Sequence, residues 1–412
     1  MTEYKRYALL DGVYLTAVRT DACAQSCLSM TFLTQLSRET AALNAVLPHV
    51  LLRGSSRLPD TEAVQAAMRS MDGDLTPVVK KLGELQVIGL RALFRADAFS
   101  QMAQELTALL LAPNTRGGLL RPDWVKAEAA ALPARQAAQP RDARTRLIEE
   151  MCCYEDFALS AFGDAEGAES IHYQKLTRRY HALVAESPLE IFYCGTTAPR
   201  DAAQTLAELL SGMMRGELDE ALGTDVRMNS LEPEARTVTE AVAGLQEAEL
   251  AVGWRLGEQM EDPDPAALRL MAGTFEQALK AALAPESAVE LDLHKGLLLL
   301  TCPLRTSAEA ALGVIRAQAE LISAGALPEE IIRAALEALE AQLRTIERDA
   351  DLLADYWTER APLGLLYSPE ELIGLLHEVT HSELSAAAKA LECDMVYVRT
   401  IAPEDDAEAQ EE

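Results

Sequence analysis

The stretch HEVTH, residues 377–381, is where the chain most suggests chemistry. On one helix, His377 and His381 would share a face and could hold a zinc ion, with Glu378 as the base that activates water. That arrangement needs an unbroken helix across all five residues. The residues themselves speak against it. Thr380-His381-Ser382-Glu383 spells a capping box ahead of LSAAAKAL, so a helix is expected to begin at Thr380. An N-cap has non-helical dihedrals, which puts the two histidines on either side of a helix boundary.

Other chemistries find even less support. The chain has no G-x-x-x-x-G-K-[ST], no G-x-G-x-x-G and no G-x-S-x-G. His172 and His181 flank Thr177, which the internal repeat described below places just before a helix, so they are not expected to share a site. Glu149-Glu150 and Glu329-Glu330 are adjacent pairs that point to different helical faces and read as solvated surface. Gly117-Gly118 reads as a turn. Seven cysteines, at 23, 27, 152, 153, 194, 302 and 393, are odd in number and lack C-x-x-C spacing, which fits reduced thiols in the cytoplasm.

The elements that must position any site come next. The 412 residues are enough for two or three domains, and 49% hydrophobic content with 5% aromatics fits an Ala/Leu-rich globular protein. A net charge of −28 argues against a nucleic-acid partner. The opening MTEYKRYALL has no apolar core of a secretory signal, and no run is long enough for a membrane-spanning helix. The tail EDDAEAQEE (404–412) is expected to fray.

Strands are expected at CLSMTFL (27–33) and ELAVGWRL (249–256), half-buried on their alternation, and at GLLLL (296–300). Helices are expected at 60–71, capped by Asp60, at 307–325 and at 328–347. The chain also repeats itself. IFYCGTTAPRDAA (191–203) returns as MVYVRTIAPEDDA (395–407), Pro122-Asp123 returns as Pro328-Glu329, and Arg141-Asp142-Ala143 returns as Arg348-Asp349-Ala350, always roughly 200 residues apart. With a one-residue gap, Val379-Thr380 aligns with Leu176-Thr177. Two homologous halves follow, 1–215 and 237–412, joined by a linker over 216–236. The expected class is α+β.

LPHVLLRGSSRLPDTEAVQAAMRSMDGDLTPVVKKLGELQVIGL (47–90), QEAELAVGWRLG (246–257) and the strand phrases SPLEIFYCGT and CDMVYVRT resemble the M16 peptidases, the insulinase/pitrilysin family. Within that family the chain resembles a non-catalytic bacterial branch linked to 5-aminopentanol modification of elongation factor P. The resemblance implies two homologous lobes, each an antiparallel sheet covered by helices, forming a clamshell.

Active M16 members carry H-x-x-E-H in the first half, two zinc ligands and a base. Anchored on Arg53-Gly54-Ser55, the matching residues here are Ala45-Val46-Leu47-Pro48-His49, so one ligand is Ala45 and the base is Pro48. The family's third ligand is a glutamate. Glu128 aligns with an earlier glutamate on that helix, and the ligand position itself falls on Arg135. His49 is then read as a packed or hydrogen-bonded imidazole. The substrate-holding Arg and Tyr of the family's second half have no counterpart in 274–300.

No catalytic, cofactor-binding or metal-ligating residue is therefore assigned, and no cofactor is expected. The resemblance implies a non-catalytic subunit that partners an active M16 zinc peptidase in the cytoplasm and helps enclose a peptide or protein substrate, held by strand addition at a sheet edge. Two alternatives stay open: an active zinc endopeptidase with a relocated metal site, and a structural homodimeric scaffold.

Overall fold

The structure, a computed structural model, describes residues 3–402 except 220–221, 228–229, 231–233 and 262. The N-terminal half opens with strands β1 (Glu3–Leu10), β2 (Val13–Arg19) and β3 (Ser26–Gln35). Helices α1 (Ala41–Leu51) and α2 (Thr61–Ser70) lead to β4 (Asp74–Leu82), β5 (Leu85–Phe94) and α3 (Phe99–Leu111). A small hairpin follows, β6 (Thr115–Arg116) and β7 (Leu119–Leu120). Its turn is Gly117-Gly118, both at positive φ, which is the backbone a two-residue hairpin loop demands. Then come α4 (Pro122–Ala137), α5 (Ala143–Met151), α6 (Ala165–Glu169), α7 (Tyr173–Glu186), β8 (Leu189–Gly195) and α8 (Pro199–Leu210).

The C-terminal half repeats the scheme. It runs β9 (Arg236–Val242), β10 (Glu249–Arg255), α9 (Pro265–Ala282), β11 (Ala288–Asp292) and β12 (Leu297–Pro303). Helices α10 (Ala308–Ser323), α11 (Glu329–Ile346), α12 (Ala350–Arg360), α13 (Pro369–Glu378) and α14 (His381–Lys389) precede the last strand, β13 (Glu392–Ile401). The described residues between α8 and β9 form neither helix nor strand. The acidic tail and the last repeat residues, Pro403, Asp405 and Ala407, lie outside the described residues.

The first sheet has the order β1-β2-β8-β3-β5-β4 and the second β11-β12-β10-β13-β9. With β1 set aside the two orders are equivalent, strand for strand. The fold is α+β, as expected, but the sheets are not purely antiparallel. β8 pairs parallel with β2 and antiparallel with β3, and β13 does the same with β9 and β10. The cause is topological: each half's last strand inserts between two strands that already run in opposite directions, so one of its neighbours must be parallel.

The compact units do not follow the contiguous halves 1–215 and 237–412. One unit comprises Met1–Gln139, Leu159–Thr224 and Arg344–Ser368, and the other Pro140–Ala158, Asp225–Leu343 and Pro369–Glu412. Each half gives the other an equivalent helix. α12 packs on β3 and β8, and α5 packs on β10 and β13. The repeated Arg-Asp-Ala marks these two helices: Asp142 caps α5 by accepting from the Thr145 amide, and Asp349 caps α12 by accepting from the Asp351 and Leu352 amides.

The exchange also corrects the strand reading. β3 is buried on both faces rather than one, because α12 covers Ser29 and Thr31 while Leu28, Met30 and Phe32 enter the main core. A second correction concerns Thr177. It lies inside α7, where its hydroxyl donates to the Tyr173 carbonyl and accepts from the Leu120 amide. The cap of α7 is His172, whose Nδ1 accepts from the Lys175 amide, so His172 and not Thr177 is the counterpart of Thr380.

Candidate functional site

The HEVTH stretch is divided as the capping box dictates. His377 ends α13 and His381 begins α14. Between them Thr380 has extended dihedrals (φ −84°, ψ 158°), its hydroxyl accepts from the Glu383 amide, and the Glu383 carboxylate accepts from the Thr380 amide at 2.8 Å. His377 Nε2 sits 3.4 Å from Glu340 Oε2. The two imidazoles have no common helical face on which to meet an ion.

The residues that the M16 resemblance sets against H-x-x-E-H, 45–49, lie on α1, which packs against α4. α1 is Ala/Leu-rich and buried along nearly its whole length, with Pro48 inside it. Ala45 is fully buried and contributes only a methyl group. His49, near the C-terminal end of α1, is half-buried. Burial and the Arg135 guanidinium outweigh the pull of Glu128 and push its pKa down to about 4, so the imidazole is neutral at pH 7.

On α4 the side chain of Glu128 is 8% exposed and faces two guanidinium groups. Arg53 donates to Glu128 Oε1 from Nε at 2.8 Å and from Nη2 at 2.5 Å. Arg135, two turns further along α4, donates to Glu128 Oε2. Burial alone would raise the Glu128 pKa, but the hydrogen bonds from Arg135 and Arg53 prevail and hold it below the usual carboxylate range. Both carboxylate oxygens are thus already occupied by cationic donors.

These side chains do not fit a zinc ion. One neutral imidazole, a methyl group and a proline supply a single ligand atom, against the three that such sites use. The two arginines and one glutamate sum to one net positive charge. A divalent cation about 4 Å from that charge would meet a repulsion of roughly 8 kcal/mol at an effective dielectric of ~20. Among the described residues no group of three or more His, Cys, Asp or Glu side chains is placed to hold a metal.

Sequence reasoning found His49, Glu128 and Arg135 but missed Arg53, which entered only as an alignment anchor. The signal was available: a glutamate due to be buried on a helix, with one arginine on its own helix and a second at the end of the helix it packs against. Two further clusters went unnoticed. Glu155, Arg255, Lys295 and Asp394 form a buried ion cluster in the second unit, and Cys27 and Cys194 stand opposite each other on neighbouring strands in the first.

No family model matches the chain. Over 417 aligned residues it is 22% identical to "Probable inactive metalloprotease YmfF" of Bacillus subtilis (strain 168), with 94% of this chain and 95% of that protein covered. A conserved protein from Enterococcus faecalis V583 superimposes with a TM-score of 0.81 at 18% identity, covering 97% of this chain and 99% of that one. A structure titled peptidase M16 inactive domain, from Pseudomonas fluorescens, superimposes with a TM-score of 0.73 at 14% identity, covering 98% and 100%. Along the described length, the chain has the fold of the M16 peptidases, and in sequence it is similar nearly end to end to a protein named as a probable inactive metalloprotease.

Proposed function

We propose that the chain is a non-catalytic M16-type subunit that works by holding a peptide or protein, in partnership with an active M16 zinc peptidase. One observation carries this reading: the carboxylate on the metal-site helix is claimed on both oxygens by Arg53 and Arg135, beside a neutral His49 and a proline in the place of the base. A site so arranged has no means of activating water. What the fold still offers is backbone. β1 and β4 edge the first sheet, β11 and β9 edge the second, and a strand added at such an edge forms main-chain hydrogen bonds without catalytic side chains. Pro77 in β4 removes one donor, which leaves β1, β9 and β11 as the better edges.

The partner reading also draws on the names of the relatives, which speak of inactive metalloprotease and inactive M16 domain. In such a pair this chain supplies one wall of the substrate enclosure. The cytoplasm is the compartment we assign, because all seven cysteines are free. The duplication sets the domain plan: two copies of one ancestral lobe, with equivalent sheet orders and reciprocal loan of α5 and α12.

The test is co-expression with an intact H-x-x-E-H relative from the same genome, followed by light scattering of the purified material. A stoichiometric complex is expected. A stable homodimer that ignores the relative at micromolar concentration would replace this reading with that of a scaffold.

A further inference from the structure

Helix α3 turns Gln104, Thr107, Ala108 and Leu111 to one side, the i, i+3, i+4, i+7 spacing of a single helical face. Helix α7 brings Tyr180, His181, Val184 and Ala185 to the same space, and the Tyr180 hydroxyl ties the two helices by donating to the Leu110 carbonyl at 3.1 Å. The chain leaving α8, from Gly212 to Gly216, completes a groove of about 1090 Å³ that lies wholly within the first unit. Its rim is open: Met214 is 86% exposed, and Gln104, Ala112 and His181 are exposed as well.

The groove differs in charge from the rest of the molecule. Among the described residues that line it there is no aspartate or glutamate, in a chain that has 65 of them and a net charge of −28. Its charged side chains are Arg57 and Arg215. Arg57 is answered by Glu105 at 3.0 Å. Arg215 is held by main-chain carbonyls instead: Nη1 donates to Val184, Nη2 to Ser187 at 2.7 Å and Nε to Asp11 at 3.2 Å. One N–H on each Nη atom remains for a further acceptor.

We propose that this groove docks an amphipathic helix of another protein, one whose apolar stripe is bordered by carboxylates. The walls select that occupant. Both are helices whose backbone groups are already paired internally, so an extended peptide finds no ladder to join, while a helix arrives with its own hydrogen bonds made. The volume lies at or above the roughly 300–1,000 Å³ of small-molecule pockets, and with an open rim a small ligand would keep much of its surface in water. Leu111 and Val184 offer fixed apolar contact, and Met213 and Met214 adapt to the shape of what lies on them. Arg215 then meets a carboxylate at the edge of the stripe. This inference goes beyond the proposed function, which seats a held chain at a sheet edge, and it does not depend on a zinc peptidase partner.

The full chain is titrated, at about 0.15 M salt, into a fluorescein-labelled helical peptide of about 18 residues and followed by fluorescence anisotropy. The peptide carries leucines at i, i+3, i+4 and i+7, glutamates bordering that stripe and glutamines elsewhere. Its counterpart has lysine for each glutamate. The overall charge of the chain favours the lysine peptide, and the groove favours the glutamate one. The glutamate peptide is expected to bind at least about tenfold tighter, and Met214→Glu and Gln104→Glu, both at exposed positions, should each weaken it at least about fivefold with an unchanged Tm. Equal or tighter binding of the lysine peptide, no binding of the glutamate peptide by about 100 μM, or an unaltered affinity in either variant would overturn the proposal. So would a dimer of the chain that Met214→Glu disperses, because the groove would then belong to a second copy.

Discussion

Helices α5 and α12 are the same element in the two halves, yet they are held by different physics. Both begin at an aspartate cap within Arg-Asp-Ala, and both lie on a sheet built mainly by the other half. α12 is held by an apolar anchor and a half-exposed ion network. Trp357 is buried with its ring 5.0 Å from that of Tyr4, while Arg91 reaches Asp351 at 2.7 Å and Asp355 at 2.6 Å. The aspartates keep 52% and 28% of their side-chain surface exposed. The segment containing α5 reverses the emphasis. Met151 sits where Gly253 leaves room, since a Cβ there would lie 2.6 Å from its sulfur. Just beyond it, Glu155 bonds Arg255 at 3.0 Å and Lys295 at 2.7 Å, and Arg255 also holds Asp394 at 2.7 Å. Arg255 and Lys295 have no exposed side-chain surface at all. An exchanged helix must be specified by long-range partners, and the two copies have found separate solutions.

The largest effect should therefore come from the buried cluster. Glu155→Ala leaves two cations without their shared partner, and a loss of roughly 3–5 kcal/mol in urea unfolding is expected. If the loss stays under about 1 kcal/mol, the cluster is not what holds the segment. Asp355→Ala on the other side should cost less, about 1–3 kcal/mol, because the buried Arg91 keeps its bond to the half-exposed Asp351. A cost equal to that of Glu155→Ala would erase the distinction drawn between the helices.

The caps sharpen the comparison from the opposite direction. Asp142→Ala removes one amide bond from the start of α5 and Asp349→Ala two from the start of α12, so each should cost about 0.5–2 kcal/mol, with Asp349→Ala costing no less than Asp142→Ala. A cost above that range for either would mean that the cap serves more than its own helix.

The remaining effect is one of pH. His49 titrates near 4 when folded and at 6.5 as a free side chain. Above pH 6.5 both states are neutral there and nothing is at stake. As pH falls from 6.5 toward 4 the unfolded chain takes up a proton that the folded one refuses, so stability declines across that window. In His49→Gln this part of the decline should vanish, as read from urea midpoints at pH 7 and pH 5. An unchanged pH slope would show that His49 is not the group responsible.

What the residues alone disclosed follows the range of the interactions involved. The break in HEVTH was legible because a capping box is settled within four residues. The duplication was legible because Tyr193 and Tyr397, and the two Arg-Asp-Ala triplets, keep their order and spacing. The exchange of α5 and α12 was not, since nothing in 140–158 or 344–368 names the sheet on which it will pack. For the same reason Ser29 and Thr31 read as a wet face: their alternation was seen, and the helix that covers them comes from the other half. At the positions that the M16 resemblance assigns to a metal site, the loss of ligands at Ala45 and Arg135 and of the base at Pro48 could be aligned, but the capture of Glu128 by Arg53 depends on how α1 and α4 pack.

The central claim is that arginine has taken the place of metal beside Glu128. Isothermal titration of the purified chain with Zn²⁺ at pH 7 tests it most directly. The account predicts no stoichiometric binding tighter than about 10 μM, and the same baseline for Glu128→Gln. Sub-micromolar binding of one ion, abolished by His49→Gln or by Glu128→Gln, would contradict it.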